Sequence, residues 1–264
     1  MFEFHGDKAR YFNYQYLTSK EHIIPFVESE LAFDKQLNVL EIGCAEAGVL
    51  KAFTELGHRC TGIELSESRV QLAKEFFAEE LAAKQIKFII KDIYDIRFPE
   101  DLQEKFDLVI LKDVIEHIHD QERFIKRLEG FLSPNGKVFF GFPPWQMPFG
   151  GHQQLCRSNF LGKLPYFHLL PKILYKGMLK LFGEKEATIA ILLEIKETGI
   201  SLERFERILE KESFAVKKKR LFLTNPIYRY KFGLKTRRQF NLIARLPYLR
   251  NFFTSCGYYV VGKK

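Results

Sequence analysis

The sequence predicts an α/β fold: a doubly wound, mostly parallel sheet with a helical insertion after the fifth strand. Three observations carry this. Five short apolar runs alternate with helix-patterned segments, the mark of successive βα units. Four of them lead into acids, at Glu41, Glu64, Asp92 and Asp113, which gathers polar groups at one rim of the sheet, where ligands of open parallel sheets collect. After the fifth run the alternation stops in Pro143-Pro144-Trp145-Gln146-Met147-Pro148-Phe149-Gly150-Gly151, too rich in proline and glycine for a regular element.

A chain of 264 residues with 46% hydrophobic content suits one α/β domain carrying an insertion. Cys44, Cys60, Cys156 and Cys256 form no C-x-x-C pair, the first residues lack a signal-peptide pattern, and no apolar run reaches membrane-spanning length. The expectation is a cytoplasmic protein, with peripheral attachment to a membrane as an addition to it. The net charge of +8 hides an asymmetry: residues 1–143 hold 18 Lys and Arg against 25 Asp and Glu, net −7, and residues 144–264 hold 23 against 8, net +15. A basic half points to an anionic substrate, a lipid headgroup or nucleic acid.

Residues 1–36 read as a lid segment, with Tyr11, Phe12, Tyr14 and Tyr16 as packing residues. Thr18-Ser19-Lys20-Glu21 has the form of a capping box opening a helix to about Phe33. Asn38–Ile42 is the first strand, and Gly43-Cys44-Ala45-Glu46-Ala47-Gly48 is a small-residue loop before a helix that ends near Gly57. On its own the loop fits a degraded nicotinamide-binding fingerprint, or a plain strand-to-helix turn. A second strand, Arg59–Ile63, ends at Glu64, placed about twenty residues past the loop to hold two ribose hydroxyls. A helix from Ser66 to about Lys84 precedes strand three, Ile86–Ile90, ending at Asp92-Ile93, an acceptor for an adenine amino group beside an apolar residue for its ring. Strand four, Phe106–Leu111, leads into Lys112-Asp113-Val114-Ile115-Glu116-His117-Ile118. A helix from about Asp120 to Leu132, a turn at Ser133-Pro134-Asn135-Gly136 and strand five, Lys137–Phe142, complete the alternation.

Taken together, Glu41 to Gly48, Gly62-Ile63-Glu64, Asp92, Asp113 to Ile118 and Leu132 to Lys137 resemble the class I S-adenosylmethionine-dependent methyltransferases, in their small-molecule, UbiE/UbiG-like branch. The resemblance covers roughly 37–142 and the C-terminal strands. It implies a seven-stranded Rossmann-like methyltransferase fold whose last strand, Cys256–Gly262, is antiparallel, preceded by a strand within Ala215 to Leu223. It also implies S-adenosylmethionine as cofactor, with Glu41 and the Gly43 loop at its methionine end, Glu64 on the ribose, Asp92 and Ile93 at adenine, and Asp113 near the transferred methyl. Cys44, Ala45, Gly48 and Leu65 join the same cofactor-binding set. Ala45 and Ala47 stand where the family usually has glycine, and a methyl group there restricts positive φ. By this division 37–142 is the cofactor core, 143–200 a substrate-side helical insertion, and 201–264 the part completing the sheet.

Because the insertion leaves the tip of strand five, it hangs over the rim, with Trp145, His152 and two glutamines available to shape an acceptor pocket. Methyl transfer to oxygen needs a base, and His152 and His117 are the candidates, His152 first because it lies on the substrate side. A metal is not expected. Pro171 to Phe182 reads as a short helix with Lys172, Lys176 and Lys180 on one face, able to meet an anionic membrane surface or to stay solvated. The basic and aromatic stretches Lys217-Lys218-Lys219-Arg220, Tyr228-Arg229-Tyr230-Lys231-Phe232 and Arg237-Arg238 allow nucleic acid as a partner. A small-molecule or lipid-like acceptor is preferred, with methyl transfer to RNA or protein, or a non-catalytic cofactor-binding module, as the alternatives.

Overall fold

Asp7 caps the first helix of the computed structural model, which describes residues 7–264; of the expected lid segment, residues 1–6 lie outside the described residues. Its carboxylate accepts from the Arg10 amide at 2.9 Å, and α1 runs Lys8–Thr18. The helix does not start at Thr18-Ser19, as the capping-box pattern suggests, but passes through as a π-helical turn, Ser19–Ile23, into α2, Ile24–Glu28. Both hydroxyls are engaged elsewhere: Thr18 Oγ1 donates to the Tyr14 carbonyl at 2.6 Å and Ser19 Oγ to that of Val49 at 2.9 Å.

The alternation follows as β1 Asn38–Ile42, α3 Gly48–Glu55, β2 Arg59–Glu64, α4 Glu67–Phe76, α5 Ala78–Ala82, β3 Ile86–Ile90, β4 Phe106–Lys112, α6 Gln121–Leu128 and β5 Leu132–Phe142. The single helix expected over 66–84 is two, broken at Phe77 (φ −119°, ψ 27°), whose buried ring packs edge-on to Phe88. Ser133 to Gly136, expected as a turn, belongs to β5, where the register against β4 shifts between Phe106 and Leu108. The insertion supplies α7 Asn159–Lys163, α8 Lys172–Leu181 and α9 Glu186–Thr198. Then come α10 Leu202–Lys211, β6 Phe214–Thr224, α11 Tyr228–Phe232, β7 Arg237–Arg238, α12 Asn241–Ala244, α13 Leu249–Phe252 and β8 Cys256–Lys263.

The sheet order is β3-β2-β1-β4-β5-β8-β6-β7, parallel from β3 to β5, with β8 antiparallel to both β5 and β6. It has eight strands rather than seven. The addition is β7, a two-residue edge strand on β6, too short to show any periodicity in the sequence. Along β4, Leu108 and Ile110 enter the core on one face with Val39 and Phe53, while Val109 and Leu111 enter the other with Phe124 and Phe205. A strand buried on both faces reads as the continuous apolar run seen in the sequence. The insertion has a small core of its own, built on Leu161, Phe167, Tyr175, Leu179 and Leu192.

Candidate active site

A cavity of about 890 Å³ opens beyond the carboxyl ends of β1, β4 and β5. That volume is at the upper end of small-ligand pockets. Its floor is Glu41 with Gly43 to Val49, one wall is Lys112, Asp113, Glu116 and His117, and the insertion and α11 face them.

The loop after β1 is tied to the tip of β2. The amides of Gly43 and Cys44 donate to the Ile63 carbonyl at 2.8 and 3.1 Å, and the Ala45 amide donates to Glu64 Oε2 at 2.9 Å. Ala45 and Ala47 adopt φ of +53° and +63° in spite of their methyl groups, and Asp113 (+57°) and His152 (+51°) are left-handed as well. All four line the cavity, where backbone strain of order 1–3 kcal/mol per residue is typically concentrated in functional sites. A side chain at Gly48 would meet the Phe12 carbonyl at 2.4 Å, so only glycine lets α1 close on the loop. Glu46 fastens the loop outward, paired bidentately with Arg69 at 3.1 and 2.8 Å and with Lys8 at 3.3 Å.

Glu41 is fully buried, and its Oε2 has no hydrogen-bond partner. Burial pushes its carboxyl well above the usual carboxylate range, opposed by Lys112. A buried orphan acceptor on the floor of a cavity fits a cationic amino group, which would restore the carboxylate. Lys112 is buried as well. Burial opposes its charge, but the Asp113 carboxylate beside it wins, and the lysine is held above its ordinary value.

The structure brings the two candidate bases together: the imidazoles of His117 and His152 stack at 5.0 Å with 8° between their planes. Burial lowers the pKa of His117, against the pull of Asp113 and Glu194, so that it is neutral at pH 7. The segment carrying it is braced by α9, since Thr198 Oγ1 donates to the Glu116 carbonyl at 2.6 Å and Gln121 Nε2 bridges the Ile115 and Thr198 carbonyls. Beside it, neither carboxyl oxygen of buried Glu116 has a partner, and burial, then Asp113, raises its pKa.

Of the sequence-assigned residues, Glu41, Gly43, Cys44, Ala45, Gly48, Asp113, His117 and His152 line the cavity. Glu64, Leu65, Asp92 and Ile93 are not in its lining. The Glu64 carboxylate accepts from the amides of Ala45, Leu65 and Ser66, and Asp92 caps a turn by accepting from Tyr94 N at 2.8 Å. Ile93 is buried in the core under β4, and Leu65 is exposed. Trp145 is no pocket residue: its ring packs edge-on to His168 at 4.6 Å and against Gly199. Gln153 donates to the Pro148 and Leu164 carbonyls, so of the two glutamines at 153 and 154 only Gln154 faces the cavity.

Sequence reasoning missed the far wall. Tyr11 and Phe12, assigned to packing, line the cavity, as do Tyr228, Lys231 and Phe232. Lys231 Nζ lies 4.8 Å over the Tyr11 ring, and burial brings its pKa down to about 8. The basic-aromatic stretch 228–232 was the available signal, and three of its residues, Tyr228, Lys231 and Phe232, line the cavity. Two of the three lysines expected to face a membrane are paired, Lys172 with Glu197 and Lys180 with Glu186. Among the described residues no helix is long and apolar enough to cross a membrane.

An open sheet of this order with a small-residue loop and an orphan acid at the tip of β1 defines a nucleotide-cofactor enzyme fold of the methyltransferase type. Residues 14–164 match the methyltransferase-domain family, and the chain belongs to it. A ubiquinone biosynthesis O-methyltransferase from Coxiella burnetii is 28% identical over 117 residues, 44% of this chain and 47% of that protein. The chain thus spans about half the length of the curated relative it matches. The fold is shared with the magnesium protoporphyrin IX methyltransferase of Synechocystis, solved with bound S-adenosylhomocysteine (TM-score 0.56, 15% identity, 95% of this chain and 84% of that one). It is also shared with the [4+2]-cyclase SpnF (TM-score 0.53, 13% identity, 91% and 80%), so fold likeness at this identity leaves the reaction to the site.

Proposed function

We propose that this chain methylates a small or amphipathic acceptor at oxygen, with S-adenosylmethionine as donor. The observation that carries the proposal is the stacked His117–His152 pair in the same cavity as Asp113 and the orphaned Glu41. The likeness to ubiquinone biosynthesis O-methyltransferases supports an oxygen acceptor. In this reading Glu41 and the Gly43–Gly48 loop hold the methionine end, Glu64 the ribose, and Asp92 and Ile93 the adenine side, with Leu65 in the same cofactor-binding set.

When bound, S-adenosylmethionine supplies a methyl group on a sulfonium, open to in-line displacement. His152 accepts the proton of the acceptor hydroxyl, freeing an oxygen lone pair for attack. His117 holds the His152 ring by stacking, and the apolar side chains of Met147, Phe149 and Ile195 exclude water from the acceptor.

Incubation with methyl-labelled cofactor and, separately, a small-molecule extract, total RNA and cellular protein tests the acceptor class. Label in the extract alone is expected; label in RNA or protein would transfer the function to the polymer alternatives, and cofactor uptake without label anywhere would leave a binding module. If His152 takes the proton, the pH dependence of the rate in the native chain should be lost in His152→Ala. A pH profile unchanged in that variant would remove His152 as the base.

A further inference from the structure

The cavity mouth has an apolar rim: Phe149, Ile191, Phe232 and Leu234 both line the cavity and are exposed. From Leu234 the chain runs along the β6 edge through Arg237 and Arg238, which pair with Thr224 and Phe222, and on to α12 and α13. This stretch exposes Phe240 (61%), Leu242 (76%), Leu246, Tyr248, Leu249 and Phe253. It is anchored. Arg250 is buried, donating to Glu203 at 2.8 Å and to both oxygens of Glu206 at 3.1 Å, and Asn251 Nδ2 donates to Glu203 at 2.6 Å. Large apolar side chains presented in a cluster by an anchored element mark an interaction surface.

Basic side chains border the apolar patch, and several are open to an anionic partner. Among the described residues, Lys217, Arg220, Lys235, Arg237, Arg238 and Arg245 form no ion pair. Arg220 even faces a like charge, since burial and the Arg238 guanidinium pull it below its ordinary value. A second copy is disfavoured here, because a two-fold contact would bring two basic patches together. Nucleic acid could meet the arginines and stack on Phe240, Tyr248 and Phe253, but it would leave Leu242, Leu246 and Leu249 in water, where a bilayer would bury them.

We propose that residues 234–253 dock on an anionic lipid bilayer, with the apolar side chains entering the interface, the arginines meeting headgroup phosphates, and the cavity mouth held at the membrane. This deepens the amphipathic-acceptor reading, but its test involves no turnover.

The full chain would be sedimented with vesicles of phosphatidylcholine alone or with about a quarter phosphatidylglycerol, at about 0.1 M and about 0.5 M NaCl. Binding to the anionic vesicles at least about tenfold stronger than to neutral ones, and weakened by salt, is expected. The Arg237→Glu/Arg238→Glu variant should lose about tenfold or more, and Phe240→Ser/Leu242→Ser a comparable amount, with circular dichroism and thermal melting reporting that each variant is folded. The Lys172→Glu/Lys176→Glu variant of α8 should change binding less than about twofold. Equal binding to both vesicle types, or indifference to the arginine pair in a folded variant, overturns the proposal. So does loss of binding in the α8 variant alone, which would move the surface to the insertion. Self-association abolished by Phe240→Ser/Leu242→Ser, or an RNA gel shift abolished by the arginine pair without vesicle binding, would assign the surface to a second copy or to nucleic acid and likewise overturn it.

Discussion

The two sides of the cavity are built in opposite ways. On the cofactor side, consecutive βα units deliver Glu41, Gly43 to Gly48 and Asp113 to one rim, each fixed by the end of a strand buried on both faces. On the side proposed for the acceptor the wall is assembled from α1, the loop after β5, α9 and α11, segments far apart in the chain. The cofactor side inherits its geometry from the sheet. The acceptor side must be held by specific polar contacts such as Thr198 on Glu116 O and His168 on Trp145 O, and is correspondingly easier to disturb.

That contrast can be broken or sharpened by four measurements. The largest effect is expected at His152→Ala, which should lower turnover by about 10²–10⁴-fold and leave cofactor affinity within about twofold. Equal loss in both quantities would place His152 on the cofactor side and erase the division. Next is acid sensitivity. His168 is fully buried in the insertion, with Nε2–H donating to Trp145 O at 2.7 Å and Nδ1 accepting from Gln153 at 3.5 Å. Burial brings its pKa down to about 4. A histidine depressed on folding contributes stability that is complete above its unfolded value near 6.5 and is lost as pH falls from there through about 4, on the order of 3 kcal/mol. Denaturant titrations across that window should show the decline, and a His168→Gln variant a flatter one; an unchanged slope would exclude His168 as its source.

Smaller still, Glu64→Ala should weaken S-adenosylmethionine binding by at least about tenfold in calorimetry, since the carboxylate both orders the Ala45 amide and is assigned to the ribose. Unaltered affinity removes that assignment. The smallest effect is at Ala45→Gly and Ala47→Gly, where left-handed φ is relieved but the unfolded chain gains freedom; a net change within about 1 kcal/mol is expected, toward higher stability. A loss above that amount would mean that the two methyl groups pack rather than strain.

How far the sequence could be read follows the same division. Strand ends were legible because buried parallel strands are continuous apolar runs closed by polar residues, so the loop at Gly43 and Asp113 stand where the pattern puts them, and the reversed strand, Cys256–Lys263, stands where the family resemblance puts it. The pairing of His117 with His152 was legible only as two candidates. Tyr11, Lys231 and Tyr228 were not legible as pocket residues, because nothing local in a sequence tells an aromatic that covers a core from one that lines a cavity. The capping-box reading at Thr18 failed for a different reason: a helix capped at Asp7 is already running there, and the Thr18 hydroxyl bonds back to the Tyr14 carbonyl. Helix α9 went unread, although its Ile191, Glu194, Ile195 and Thr198 form part of the wall.

The contact of Lys231 with the Tyr11 ring has a kinetic consequence. These residues belong to α11 and α1, near opposite ends of the described chain, so the contact closes one of the longest loops in the molecule. Contacts of high sequence separation form late, after local βα units have condensed. A chain caught part-way through folding is therefore expected to hold the strand-end rim before the wall that α1 and α11 build opposite it.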